Sequence, residues 1–202
     1  MTSGCSWCRP ATTPRPVWVF RSSAPSTTGA PPMWPSTASA WGPMRWWCRG
    51  EQATALLEQA WDEGTAAVVS EAVGLMRKVL ADTVEYTKQR QQFGRPLAGF
   101  QALAHRMVDM YIELEQAVAA QYLAVLSLDA PAAERASAVS AAKATISRAA
   151  RFIGQNSVQL HGGMGMTEEL AIGHYFRRLT VIENEFGSAD AHLARFERLA
   201  RA

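Results

Sequence analysis

The 202-residue sequence predicts an all-α fold: an antiparallel four-helix bundle over residues 51–202, preceded by a disordered segment of residues 1–50. Three observations lead there. From Glu51 onward, apolar residues recur at helical spacing over long stretches. Eight of the ten prolines fall in residues 1–50, and the other two, Pro96 and Pro131, sit where helical patterns break. Charge divides at the same place. Residues 1–50 carry five arginines and no Lys, Asp or Glu, so +5; the remaining 15 basic and 18 acidic groups give −3, which sum to the net +2.

The first helical stripe is Val69, Ala72, Val73, Met76, Val79, Leu80, Thr83 and Val84, stopped by Gly94-Arg95-Pro96. A second runs through Phe100, Leu103, Met107, Met110, Tyr111, Leu114, Ala117, Val118, Leu123 and Val125. Asp129 and Pro131 mark the start of a third, with proline early in the helix. Its inward face carries Ala142, Ile146, Ala149, Phe152, Ile153, Asn156 and Leu160 and is rich in Ala and Ser, which suits close packing, and Gly162-Gly163-Met164-Gly165 ends it. Ser188 or Asp190 caps a last helix with His192, Leu193, Phe196 and Leu199 inward. Long periodic helices joined by short turns form an antiparallel bundle, and about 150 residues can bury a sizeable core. No Glu-x-x-His pair supports a di-iron bundle, and no metal site is expected.

Composition excludes several classes. Apolar content of 48% with 19% charge fits a globular, cytoplasmic protein. No run of eighteen apolar residues offers a membrane span, and a net charge of +2 makes no case for nucleic acid. In the first fifty residues, Cys5 and Cys8 have the CxxC spacing. Two ligands make half a zinc site, and the third Cys is distant at position 48. The apolar stretch Val17 to Phe20 is too short for a signal peptide, and proline and tryptophan disrupt the amphipathic helix of a transit peptide. The excess of Arg, Pro, Ala, Ser, Trp and Cys is what GC-rich DNA yields out of frame. Reading the third base of each codon with the next two turns Met33-Trp34, Trp46-Trp47 and Trp47-Cys48 into Val, and Trp34-Pro35 into Ala. With permitted codons, Met33 to Gly50 then reads as an alternating strand followed by a turn.

Two segments carry chemistry. Tyr86 to Pro96, followed by Phe100-Gln101, places a cation, amides and an aromatic ring at a helix end. Such a set binds a phosphate through Arg90 and a planar ring against Phe93, or is simply a charged helix terminus with Phe93 covering the core. Gln159 to Thr167 contains closely spaced glycines, which admit a ligand to the backbone or serve only as a helix cap.

Together and in order these segments resemble the C-terminal domain of the acyl-CoA dehydrogenase family. The family pattern R-x-x-F-G-x-P, then F-Q, then Q-x-x-G-G-x-G is present as Arg90 to Pro96, Phe100-Gln101 and Gln159 to Gly165, covering about residues 51–202. The rephased leader likewise resembles the end of that family's β-rich middle domain. The resemblance implies an FAD flavoprotein that oxidises an acyl-CoA thioester to the trans-2-enoyl thioester. A complete subunit has a helical domain and a β-domain before this bundle, and the bundle completes a neighbouring subunit's FAD site. By resemblance Arg90 pairs with FAD phosphate, Phe93 packs by the adenine end, and Gln101 hydrogen-bonds the cofactor. Gln92 and Ser188 join this set, and Gln159, Gly162 and Gly163 approach the ADP portion.

The family's base is usually a Glu in a Y-E-G-T stretch, which abstracts the α-proton. The matching stretch here is Glu185-Phe186-Gly187-Ser188, so Phe186, which cannot accept a proton, holds the Glu position. Some members carry the Glu early in the first bundle helix, where Gly64 stands, with Glu63 beside it. Glu63 and Glu185 are the remaining candidates, each displaced by one residue, which on a helix is a rotation of about 100°. Tyr175 to Thr180, Phe186-Gly187 and His192-Leu193 resemble a bacterial subgroup in which some chains are partner subunits with the base on the other chain.

The implied readings are an incomplete or frameshifted acyl-CoA dehydrogenase chain lacking its own catalytic Glu, a non-catalytic partner subunit completing another chain's FAD site in a homo- or hetero-oligomer, or a purely structural bundle. The frame expectation is checked by sequencing the DNA upstream of codon 50. A second open frame encoding a β-rich domain is expected, and its absence discards the frameshift.

Overall fold

The computed structural model describes residues 51–201. The leader, with Cys5, Cys8, Cys48 and the rephased stretch, lies outside the described residues. Five helices follow in order: α1 (Glu51–Gln89), α2 (Gln101–Leu126), α3 (Ala132–His161), α4 (Ala171–Asn184) and α5 (Ala189–Ala200). A hairpin of two-residue strands, β1 (Gln91–Gln92) and β2 (Arg95–Pro96), joins α1 to α2.

At 39 residues α1 is about 58 Å long, far longer than intrinsic propensity sustains, so packing must hold it. Its buried face is Val69, Ala72, Val73, Met76, Val79, Leu80 and Thr83, the stripe expected from sequence. Two of its buried threonines spend their hydroxyls within the helix: Thr65 donates to the Trp61 carbonyl and Thr83 to that of Val79, both at 2.7 Å. α3 lies at the centre and touches every other helix. Ala142, Ala144, Ala149 and Ala150 are nearly fully buried along it, and their small side chains let four neighbours approach.

Cross-links set the directions. Asp62 meets Arg135 near the starts of α1 and α3, and Tyr86 meets His161 near their ends, so the two run parallel. Thr87, at the end of α1, reaches Met107 near the start of α2, so α2 runs back. Gly154 faces Phe176 and Leu179, while Lys143 reaches the Ile182 carbonyl, so α4 is antiparallel to α3. These four helices form the antiparallel bundle, and α5 is fastened across α1 and α3.

The sequence reading differs from the structure in three respects. It assigned no element to residues 171–184. There, Ile172, Tyr175, Phe176, Leu179 and Ile182 form an inward stripe that Arg177 and Arg178 interrupt in the sequence. Tyr111, Leu123, Val125 and Phe152, expected inward, are exposed at 55%, 49%, 42% and 37%. Leu193 and Phe196 of α5 are likewise exposed, while His192 is buried. Each apolar stripe is wider than the face its neighbours cover. Ser188, one of the two expected caps, accepts the Ala191 amide at 3.3 Å.

Asp62 is fully buried, yet its two oxygens face Arg135 at 3.1 Å and Arg195 at 2.6 Å. One carboxylate therefore ties α1 to α3 and α5. Removing it leaves two sparsely hydrated guanidinium groups facing each other. Asp62→Ala should lower the unfolding free energy by roughly 3 kcal/mol in urea denaturation. A loss below about 1 kcal/mol is the size expected of a surface pair and would contradict this role.

Candidate functional site

The first segment is shaped by the hairpin. Phe93 and Gly94 have φ of 53° and 77°, the left-handed pair that a two-residue hairpin turn requires. The turn leaves Phe93 91% exposed, its ring edge-on to Phe100 at 6.3 Å, so Phe93 does not cover the core. Arg95 lies over the Phe100 ring at 3.9 Å. The hairpin closes back on the helix end through the Leu97 amide, which donates to the Arg90 carbonyl at 2.8 Å.

The second segment is the end of α3. Gly162, at φ 60°, turns the chain out of the helix into a short 3-10 turn over residues 162–166. A Cβ on Gly165 would come within 2.7 Å of the Val158 carbonyl oxygen, so only glycine lets the turn fold back on α3. Gly162 and Gly163 have nothing within 4 Å of where a Cβ would sit, which leaves their backbone open.

These ends meet because α1 and α3 run parallel. Between them lies a cleft of about 480 Å³ lined by Tyr86, Arg90, Gln92, Gln159, His161, Gly162 and Gly163, with apolar walls from Leu97, Leu103, Leu160 and Met164. Among the described residues no carboxylate lines it. Its one cation, two amides and open glycine backbone suit a phosphate-bearing ligand. Phe93 and Gln101 do not line this cleft. Ser188 lies on a second one, of about 580 Å³, with Arg148, Arg151, Glu183, Asn184 and Asp190. The residues expected to hold cofactor are therefore divided between two clefts, the hairpin turn with Phe93 and the start of α2 with Gln101. His161, not among the expected residues, stacks on Tyr86 at 4.3 Å with 24° between the rings. Its position inside the glycine motif was the available signal.

The third feature is the turn between α4 and α5. Phe186 has φ of 57°, uncommon for a bulky residue, and Gly187 follows at 102°. The buried His192 holds the turn, its Nε2 donating to the Phe186 carbonyl at 2.8 Å. Burial pushes its pKa down, so the ring is neutral and Nε2 carries the proton in this contact. One turn earlier, fully buried Lys143 donates to the Ile182 carbonyl, near the end of α4. Desolvation lowers its pKa to about 8, against the opposing pull of Glu185 and Glu183.

So held, the Phe186 ring points at α1. It packs edge-on to Trp61 at 5.4 Å with 81° between the planes. A Cβ on Gly64 would lie 2.7 Å from its Cε1 and Cζ, so the ring fills the notch that glycine leaves in the helix. The two positions where sequence reasoning looked for a base are thus in contact, and neither carries an ionisable group. Glu63 accepts from Gln59 at 2.9 Å, and Glu185 pairs with Arg178 at 3.1 Å. Arg178 also grips Glu71 through two 2.6 Å hydrogen bonds, which hold the Glu71 carboxyl below the usual carboxylate range.

Comparison with known proteins follows the same outline. Residues 54–199 match the family profile "Acyl-CoA dehydrogenase, C-terminal domain". The chain is 33% identical over 136 residues to acyl-CoA dehydrogenase IpdE2 of Mycolicibacterium smegmatis, covering 67% of this chain and 42% of that one. It is 32% identical over 140 residues to the short-chain specific acyl-CoA dehydrogenase of Megasphaera elsdenii, covering 65% and 34%. Among solved structures, Megasphaera elsdenii butyryl-CoA dehydrogenase superposes with a TM-score of 0.66 at 28% identity, over 72% of this chain and 38% of that one. The ChsE4-ChsE5 complex from Mycobacterium tuberculosis superposes with 0.68 at 26%, over 76% and 41%. The chain spans about two fifths or less of these relatives' lengths.

The Phe186–Gly64 interlock predicts a context-dependent substitution. Gly64→Ala should destabilise the protein by about 1–3 kcal/mol through overpacking. In a Phe186→Ala background the same change should be neutral or stabilising by up to about 1 kcal/mol, because alanine is the better helix former. Equal effects in both backgrounds, read by urea denaturation, would refute the contact.

Proposed function

Since the chain belongs to the acyl-CoA dehydrogenase family and corresponds to its C-terminal domain, we propose that it works as the base-free helical part of an FAD-dependent acyl-CoA dehydrogenase assembly. The observation carrying this reading is the combination of an open cofactor cleft with a plugged base position. The cleft keeps Arg90, Gln92, Gln159 and the open backbone of Gly162 and Gly163. The base position holds Phe186 against Gly64.

The cofactor of this family is FAD, which when bound supplies the hydride acceptor for α,β-oxidation of the thioester. The cleft's donor set fits its phosphate-bearing portion. Arg90 offers a charge-assisted donor, and no ion pair engages it among the described residues. Gln92 and Gln159 offer amides, and the glycines let the backbone approach an anion. Ser188 belongs to a separate surface at the start of α5, where it would meet cofactor or partner independently of the first cleft.

α-Proton abstraction needs an acceptor at the reacting carbon. Phe186 cannot provide one, and Glu63 and Glu185 are engaged elsewhere, so the base comes from another chain. The ChsE4-ChsE5 complex, to which this chain is similar in structure, joins two differently named components, which supports a hetero-oligomer as the working state. The purely structural reading accounts for Arg90 as a charged helix terminus but not for the open backbone of Gly163 lining the same cleft.

Co-expression tests this reading. Purified alone, the chain should carry no stoichiometric flavin and form no enoyl-CoA. With a full-length family chain bearing the Glu, it should co-purify in a yellow complex, and Arg90→Ala should weaken flavin retention at least tenfold. Stoichiometric flavin and turnover by the isolated chain would refute the proposal.

A further inference from the structure

The turn between α4 and α5 is pinned by a group that can change its charge. His192 lies in the first turn of α5 and is 3% exposed. Its Nε2 donates to the Phe186 carbonyl at 2.8 Å. A Cβ on Gly187 would come within 3.2 Å of that same nitrogen, so the turn closes directly on the ring. Nδ1 is buried and has no hydrogen-bond partner among the described residues. The neutral ring leaves only a lone pair there. A protonated ring would add an N–H and a positive charge with no acceptor to receive them.

The neighbouring charges oppose that proton on balance. Burial is the largest cause that holds the ring below the ordinary histidine value. Lys143 from α3 and Arg195 from α5 act in the same direction, and Asp62 from α1 acts against them. The Asp62 carboxylate is already engaged by Arg135 and Arg195. The closed turn therefore takes up a proton less readily than an open one whose ring meets water. Falling pH shifts the population towards the open turn, and rising pH restores the closed one.

The Phe186 carbonyl is the acceptor, so losing this bond frees the residue held at φ 57°. Left-handed backbone at a bulky residue persists only while its surroundings impose it. Gly187, at φ 102°, gives the chain freedom to hinge beside it. A relaxed Phe186 withdraws its ring from the Gly64 notch and from Trp61. Lys143 on the Ile182 carbonyl, and Arg178 paired with Glu71 and Glu185, hold the end of α4 meanwhile. The movement is thus confined to the turn.

We propose that His192 is a pH-responsive latch on the α4–α5 turn: neutral, it keeps Phe186 in the Gly64 notch, and protonated, it lets the ring leave. The consequence in an assembly rests on the reading of Phe186 as a plug at the base position: acidification would unplug that position.

The test is a pH titration of the full ¹⁵N-labelled chain by NMR, from about pH 7 to about pH 5, within the span where histidines titrate. The Gly64 amide should move from its neutral position towards the one it has in Phe186→Ala, where no ring faces it. It should share one reversible midpoint with the His192 ring and the Gly187 amide, while circular dichroism keeps its helical signal. His192→Gln retains an N–H donor for the Phe186 carbonyl and carries no titrating group, so its Gly64 amide should stay at the neutral position throughout. A Gly64 amide that holds still in the wild type, or that still titrates in His192→Gln, overturns the latch. So does loss of helix with the same midpoint, which is acid unfolding. Should His192→Gln fail to fold, the wild-type midpoints decide, and different values for His192 and Gly64 overturn the proposal. The flavin and co-purification experiments read the proposed function separately, so either reading can fail while the other stands.

Discussion

A fully buried carboxylate must be compensated or it unfolds the protein, and Asp62 is compensated by arginines from two other helices. That requirement places α5 against α1 and α3, because Arg195 reaches Asp62 and also lies 3.4 Å from Ser140. With α5 placed, His192 comes under the Phe186 carbonyl, while Lys143 holds the end of α4 from α3. The turn between the two helices is thus pinned on both sides, which lets Phe186 keep a left-handed backbone that costs on the order of 1–3 kcal/mol. The ring's position in the Gly64 notch follows from those attachments.

The same parallel arrangement of α1 and α3 makes the cleft. Two segments far apart in sequence, one at each helix end, face each other across about 480 Å³. Their features are complementary: the hairpin brings Arg90 and Gln92, and the glycine turn brings open backbone. The cleft with Arg90 and the glycines and the contact of Phe186 with Gly64 lie at different ends of the bundle. The proposed loss of the base at one end therefore leaves the cation and the glycines at the other in place.

Much of this was legible in the sequence. The α1 stripe from Val69 to Thr83, the breaks at Pro96 and Pro131, and a last helix capped by Ser188 or Asp190 follow from periodicity and backbone chemistry alone, and the structure selects Ser188. α4 was hidden because Arg177 and Arg178 interrupt a stripe that only three-dimensional packing resolves. Exposure of Tyr111, Leu123 and Phe196 was illegible because periodicity reports an apolar face, not whether a neighbour covers it. Asp62 carried no signal, since nothing in sequence separates a carboxylate that finds two arginines from one in solvent. His161 was read within its motif but not singled out, because its place in the cleft depends on stacking against Tyr86. The contact between Phe186 and Gly64 could be suspected only from their separate correspondence to one family function.

The central claim is that this chain contributes a cofactor cleft and no base. Exchange of the acyl-CoA α-proton with deuterium measures the base directly, independently of hydride transfer. In an assembly with a full-length partner whose catalytic Glu is replaced by Gln, the account predicts no exchange above the uncatalysed rate. Persistent exchange that disappears on Glu185→Gln or Glu63→Gln in this chain would contradict it.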